Sequence, residues 1–448
     1  MMKITTGILM GLLILGTTAH AAHERYHPNH LFIKMKEGKG LVKSPLITSS
    51  REIIDGLYLV NTPNADTLSQ TLNSNAIEYV EKDYYAGKKS MPKLEAFDPI
   101  ELQIKSITNL DFLNFNDRYV NKLWAFNGEF GMDVFKAYAS LPNWAPEEII
   151  VAVVDTGVDH NHEDLKDVMW INPGEIPGDG IDNDNNGYID DIHGINTIDR
   201  DQNGRASSNT MASHWHGTHV SGTIAATQNN GVGIAGVANN VKIMALRTVP
   251  DNSDELDSNV VESFKYAAKN GAKIINCSFG KSKNEGGMVV RDVINEIGKK
   301  YGVLVVVSSG NDSWGPFNWQ DNDTNLKYPA SFDSPNMLVI ASSTSAGKLS
   351  NFSNIGKLTV DVAAPGSNIY STINGNGYSS ASGTSMAAPN ASGVAAMVLG
   401  YYPQLSVDGL KEAITSSVVK SAEFSDKMTS GGRINLKAAL KKAKHLEK

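Results

Sequence analysis

Three short segments carry groups that together can do nucleophilic chemistry. Asp155 ends the apolar run Ile149–Val154 and is followed by Thr156-Gly157. His216 opens the string His216-Gly217-Thr218-His219-Val220-Ser221-Gly222. Ser385 sits within Gly383-Thr384-Ser385-Met386-Ala387-Ala388-Pro389. A serine hydroxyl is a weak nucleophile until a base takes its proton, and the base needs an anion to fix its tautomer. Acid, base and hydroxyl are all present. Ser385 precedes a small, apolar run from Met386 to Leu399. It therefore falls at a helix N-terminus, where unpaired N–H groups and the helix dipole favour a developing oxyanion.

Two rival chemistries use the same residues. An Asp-Thr-Gly also marks aspartic proteases, but that chemistry needs a second copy, and none is found. His214, His216 and His219 have the spacing of a zinc-hydrolase motif whose third His follows an Asp. Here that position is Thr218, and a motif without its context carries little weight. The chain order Asp, His, Ser differs from the His, Asp, Ser and Ser, Asp, His orders of two unrelated hydrolase folds. In sequence and in order, the three segments resemble the subtilisin-like serine proteases, or subtilases.

The resemblance implies a mechanism. Asp155 orients His216, His216 acts as general base and then acid, and Ser385 attacks a peptide carbonyl. Asn311, in Ser308-Ser309-Gly310-Asn311, and the Ser385 N–H hold the oxyanion. Ser278-Phe279-Gly280, with Ser308, Ser309 and Gly310, matches the family's substrate-binding walls. Lys327 precedes Tyr328-Pro329-Ala330, where many relatives carry a small residue near the base of the S1 pocket. It either favours acidic residues before the scissile bond or points to solvent. The acidic loop with Asp251, Asp254, Glu255 and Asp257 either favours basic side chains or is simply solvated. The same apparatus makes a ligase or cyclase when an amine replaces water.

Asp182, Asp184 and Asn186, then Gly187 and Asp190, alternate oxygen donors about a glycine turn, which suits a hard cation. His193 stands where an EF-hand has its bidentate Glu, so this is not an EF-hand. With Trp170, Asn172-Pro173-Gly174-Glu175 ahead of it, the segment resembles a calcium loop found between the Asp and His motifs of many subtilases. That implies structural Ca2+ at Asp182, Asp184, Asn186, Tyr188 and Asp190. A second site is implied at Asp164 and Asn229.

These groups need a scaffold. Apolar runs at Ile149–Val154, Val241–Leu246, Ala272–Asn276, Val303–Val307 and Met337–Ala341 alternate with helical stretches. Continuous apolar strands imply a parallel sheet covered on both faces, with function at the carboxyl ends of its strands. Added to the resemblance, this predicts an α/β fold, a subtilisin-like three-layer sandwich with a mostly parallel central sheet.

Ahead of it, Leu31, Ile33 and Met35 alternate as a strand. Leu57–Val60 and Ile77–Val80 read as two more, with a helix at Ala65–Leu72. The resemblance makes this a small α+β propeptide whose tail, Tyr79 to Tyr84, inhibits the enzyme from within its cleft. Residues 1–21 read as a secretory signal: Lys3, an apolar core from Ile8 to Leu15, then Ala19-His20-Ala21. The expected divisions are signal 1–21, propeptide 22–86, linker and processing region 87–115 and catalytic unit 116–448.

The chain has 448 residues, a net charge of −8 and a single cysteine, Cys277. No basic patch speaks for nucleic acid, and one cysteine makes no internal disulfide. The expected product is a secreted or periplasmic monomer. It acts on proteins or peptides, has no membrane partner after signal removal, and is stapled by calcium.

Overall fold

The computed structural model describes residues 25–86, 92–95, 115–252, 255–281, 287–315 and 318–447. The expected signal lies outside them, as does most of the expected linker. The leader unit pairs β1 (Tyr26–Met35), β2 (Ser49–Ile54), β3 (Leu57–Asn61) and β4 (Ile77–Tyr84) in the order β2-β3-β1-β4, with α1 (Ala65–Thr71) on one face. Asn64 caps α1 by accepting from the Thr67 N–H. β2 was not expected, because Ser-Ser-Arg-Glu lacks an apolar alternation. It is an edge strand, where polar residues are tolerated. Leu31, Ile33 and Met35 face α1, while Phe32, Leu57 and Leu59 point the other way into a core shared with the rest of the chain.

A short strand, β5 (Leu94–Glu95), follows. Next come α2 (Trp124–Asn127), α3 (Val134–Tyr138), β6 (Ile149–Asp155), β7 (Gly194–Arg200), β8 (Ala206–Ser207), α4 (His216–Ala225) and β9 (Val241–Arg247). Then come α5 (Asp257–Lys269), β10 (Ile274–Cys277), α6 (Val289–Tyr301), β11 (Leu304–Ser308), β12 (Met337–Ser343) and β13 (Val362–Pro365). The chain ends with β14 (Ile369–Ile373), β15 (Gly377–Ala381), α7 (Thr384–Tyr401), α8 (Val407–Thr415), β16 (Val419–Lys420), β17 (Gly432–Arg433) and α9 (Leu436–Leu446).

Ten strands form one sheet, β16-β17-β13-β12-β11-β10-β6-β9-β7-β8, parallel from β17 to β7 with an antiparallel strand at each edge. Alternate residues of one strand serve two cores. Val151 and Val153 pack with α4 and α7, and Ala152 and Val154 with α5 and α6. The result is the expected α/β three-layer sandwich.

Register carries three loops to one place. Val154 of β6 pairs with Cys277 of β10, and Cys277 with Val307 of β11. The next residues, Asp155, Ser278 and Ser308, therefore leave the sheet side by side at its carboxyl edge.

Candidate active site

Asp155 Oδ1 accepts the Nδ1–H of His216 at 2.7 Å and the N–H of Thr156 at 2.8 Å. Both side chains are buried. His216 is the first residue of α4, brought against β6 by two glycines. Gly157 has φ +94°, and a Cβ on Gly217 would lie 2.1 Å from the Gly157 carbonyl, so only glycine fits there. The bond fixes the imidazole with its proton on Nδ1. His216 Nε2 is buried and has no hydrogen-bond partner among the described residues.

The zinc alternative is not assembled. His214 Nδ1 accepts the His216 N–H, and His219 Nε2 faces the carbonyls of Ile369 and Ser379. Burial holds His219 neutral, its pKa lowered to about 3. Both residues act as supports for the loop and helix that carry His216.

Ser385 is the second residue of α7. Its Oγ donates to the Ser278 carbonyl at 3.0 Å, and Ser278 Oγ donates back to the Ser385 carbonyl at 2.9 Å. Pro389 explains the second bond. It has no N–H to offer the carbonyl four residues earlier, so Ser278 takes that role. Asn311 Oδ1 accepts the N–H and the hydroxyl of Thr384 at 2.8 and 2.9 Å. That anchors the amide so its NH2 lies beside Gly383, next to the nucleophile. Asn311 thus caps α7 from another loop and leaves the Ser385 N–H, an end group of the helix, for a ligand.

The walls are built as follows. Lys281 and Tyr328 exchange backbone hydrogen bonds at 2.7 and 2.8 Å. A Cβ on Gly280 would sit 2.9 Å from the Tyr328 carbonyl, so Gly280 permits that approach. Gly310 has φ +113°, and Ser309 is held by Ile340 and Asn354. Phe279 lines a small pocket with Val260, Val290 and Phe332. Lys327 neither runs free into solvent nor offers an uncompensated charge: its Nζ pairs with Asp312 at 3.0 Å. The acidic loop is also tied inward. Asp251 pairs with Arg247, and Asp257 with the buried Lys281 at 2.7 Å. Asp254 lies outside the described residues.

The chain's own leader meets this cleft. The Ala86 N–H donates to the Glu255 carbonyl at 3.0 Å, Tyr85 bridges Leu256, and Ala86 closes the Phe279 pocket. On the other side of Ser385, Pro92 lies against Gly383 and β5 pairs with β15.

In the loop between β6 and β7, three carboxylates lie within 4.8 Å of one another: Glu175, Asp184 and Asp191. Of the residues read from sequence, only Asp184 belongs to this group. Asp182 accepts the N–H groups of Asn186 and Gly187, and Asp190 those of Gly178 and Gly180. Asn186 bridges Asp184 and Asp191, and Tyr188 points its hydroxyl at Glu262. Asp191 is fully buried, its pKa raised by burial, with Oδ1 lacking a hydrogen-bond partner. Hard oxygen donors at this spacing fit a divalent cation better than they fit one another.

At the second expected site Asp164 is buried and held by Asn230, Ile234 and Tyr378. Burial raises its pKa to about 6, with Asp117 nearby adding to the rise. Asn230 rather than Asn229 reaches it; Asn229 accepts instead from the Asn116 N–H.

Comparison with known proteins agrees with the geometry. The family model described as Subtilase family, Peptidase_S8, matches residues 147–435. Subtilisin-like protease 1 of Plasmodium berghei is 34% identical over 344 residues, 73% of this chain and 55% of its own length. The extracellular basic protease of Dichelobacter nodosus is 30% identical over 368 residues, 76% of this chain and 54% of its own length. This chain therefore spans about half the length of these curated relatives. The crystal structure of fervidolysin from Fervidobacterium pennivorans, a keratinolytic enzyme related to subtilisin, shares the fold. Its TM-score is 0.69 at 23% identity, covering 94% of this chain and 62% of the other.

Proposed function

This chain belongs to the subtilase family, and on that footing we propose that it is a secreted serine endopeptidase, made as a precursor that cuts itself and stabilised by calcium. The observation that carries the reading is the buried Asp155–His216 bond, with His216 Nε2 buried and without a hydrogen-bond partner among the described residues. Ser385 turns its hydroxyl from the Ser278 carbonyl to His216 Nε2 and attacks the scissile carbonyl. The proton passes to Nε2 and Asp155 stabilises the imidazolium. The oxyanion is held by the Ser385 N–H and the Asn311 amide. His216 then protonates the leaving amine, and water releases the acyl-enzyme by the same steps reversed.

Ala86 on the Glu255–Leu256 edge supports the leader as a product-like inhibitor. Pro92 on the far side of the nucleophile supports self-cleavage between Ala86 and Pro92. Glu175, Asp184 and Asp191 would hold the cation, which supplies charge neutralisation to the loop and takes no part in the chemistry. No helix among the described residues is long and apolar enough to cross a membrane. The segment at residues 1–21 supports export.

The test is Ser385→Ala. Purified wild-type precursor should shorten itself and hydrolyse a peptide library; the variant should remain full length and inert. A variant that still matured at the wild-type rate would exclude this mechanism.

A further inference from the structure

The leader is not the chain's only segment on the cleft. β5 lies beyond the cut proposed above, on the side from which a leaving amine departs. Leu94 pairs with Ala381 and Glu95 with Ser380, antiparallel, so that β15 becomes the middle strand of β14-β15-β5. The Glu95 carboxylate accepts from Ser382 Oγ at 2.7 Å, and the Glu95 carbonyl accepts from Ser379 Oγ at 3.4 Å. Pro92 comes within 3.3 Å of where a Cβ on Gly383 would stand. Ser382 and Gly383 lead directly into Thr384 and Ser385, so this strand ends against the nucleophile's own turn.

We propose that Pro92–Glu95 is a second inhibitory segment, a competitor for the leaving-side half of the cleft that stays in place after the leader is cut away. The proposal rests on the protease reading above. The physical difference between the two inhibitors is their attachment. Once the chain is cut between Ala86 and Pro92, the leader is a separate molecule and leaves on dilution. Pro92–Glu95 remains joined to the catalytic unit through Phe115, which is buried among Phe126, Phe135 and Tyr138. A strand that stays on the same chain competes at a fixed effective concentration, on the order of millimolar, whatever the enzyme concentration. An exposed sheet edge is also the place where an extended substrate would add its own strand. Occupation by β5 therefore excludes substrates that need residues on the leaving side. Substrates that end at the scissile bond are spared.

The experiment uses self-processed enzyme freed of leader, with intact mass confirming that residues 92–95 remain. Two substrates share one acyl-side sequence: an anilide with nothing beyond the scissile bond, and a quenched fluorescent peptide with several residues beyond it. Glu95→Ala, which removes the bond to Ser382, and Leu94→Pro, which blocks strand pairing, should each raise kcat/KM for the long peptide about tenfold, chiefly through KM. The anilide should be unaffected, and the ratio of the two rates should not change on diluting the enzyme. Equal effects on both substrates, no effect on either, or loss of residues 92–95 in the first cut would overturn the proposal. Failure of the protease reading would look different: wild type and Ser385→Ala would be equally inactive on the anilide.

Discussion

Asn311 does two jobs with one amide. Its oxygen caps α7 at Thr384, and its NH2 is thereby turned toward the place where negative charge develops. The two jobs separate by substitution. Asn311→Ala should cut kcat by about 10²–10³ with little change in KM, as loss of one oxyanion donor does. It should also cost about 1 kcal/mol of stability through the lost cap. Asn311→Asp keeps an acceptor for Thr384 but sets a negative charge against the oxyanion. It should keep the melting temperature and lose kcat. Steady-state kinetics beside thermal melts decide. A full loss of stability with kcat intact would leave Asn311 a cap and nothing more. Asp155, His216, Ser385 and Asn311 were legible because each stands in a segment whose neighbours are dictated by close approach, Gly217 and Gly310 among them. The mutual bond between Ser278 and Ser385 was not legible. It follows from Pro389, which reads in the sequence only as a break in a helical run.

At the scale of elements, α5 and α6 have no side-chain cap of their own. Their caps come from β4. Glu81 accepts the N–H groups of Met288 and Val289 at 2.7 and 3.1 Å, and Asp83 accepts that of Ser258 at 2.9 Å. Residues two apart on a strand share a face, so one strand serves two helices. No local pattern in either helix signals this, because the partner lies far away in sequence. The loop before β7 shows a related effect. A spacing rule selects Asp182 and Asp190, whose oxygens accept the loop's own backbone N–H groups, and passes over the buried Asp191.

The β4 caps also predict a pH dependence. Burial, only partly offset by the two backbone bonds, raises Glu81 to about 7, against roughly 4.3 for a free glutamate. Docking of the leader therefore takes up a proton between those values. Its affinity is highest below the window, falls as pH rises through it by up to about tenfold per unit, and levels off above about pH 7. Self-processed enzyme held at about pH 8 should regain activity on dilution faster than enzyme held at about pH 5, both assayed at one common pH. Glu81→Gln should flatten that difference. An unchanged pH profile in the variant would remove Glu81 from the release step.

Among the described residues the large sheet separates two main cores, and the leader extends one of them while keeping a small core of its own under α1. Phe32, Leu57 and Leu59 pack in the same cluster as Val261, Phe264 and Val293. The continuous apolar strands made the sandwich legible from sequence, while the docking of the leader depends on shape and was not. Cys277 is buried and is the single cysteine of the sequence, so no internal disulfide acts as a staple. The acidic loop is a staple of another kind. Asp191 accepts from Tyr266 of α5, and Tyr188 reaches Glu262 of the same helix. Glu262 in turn binds Arg51 of the leader and Arg200 of β7. A cation at Glu175, Asp184 and Asp191 would therefore stabilise the junction of loop, helix and leader.

A ligand that binds only the folded state at 100–1,000 times its Kd adds about 3–4 kcal/mol. In a chain of this size that is a shift of roughly 4 °C. Ser385→Ala protein, used to prevent self-digestion, should lose about that much in melting temperature when calcium is chelated. Asp191→Asn in the same background should melt near the chelated value with or without calcium. Asp190→Asn should keep most of the calcium response, because its oxygens serve Gly178 and Gly180. If Asp190→Asn abolished the response and Asp191→Asn preserved it, the ligand set would be the one the spacing rule suggests rather than the one formed by Glu175, Asp184 and Asp191.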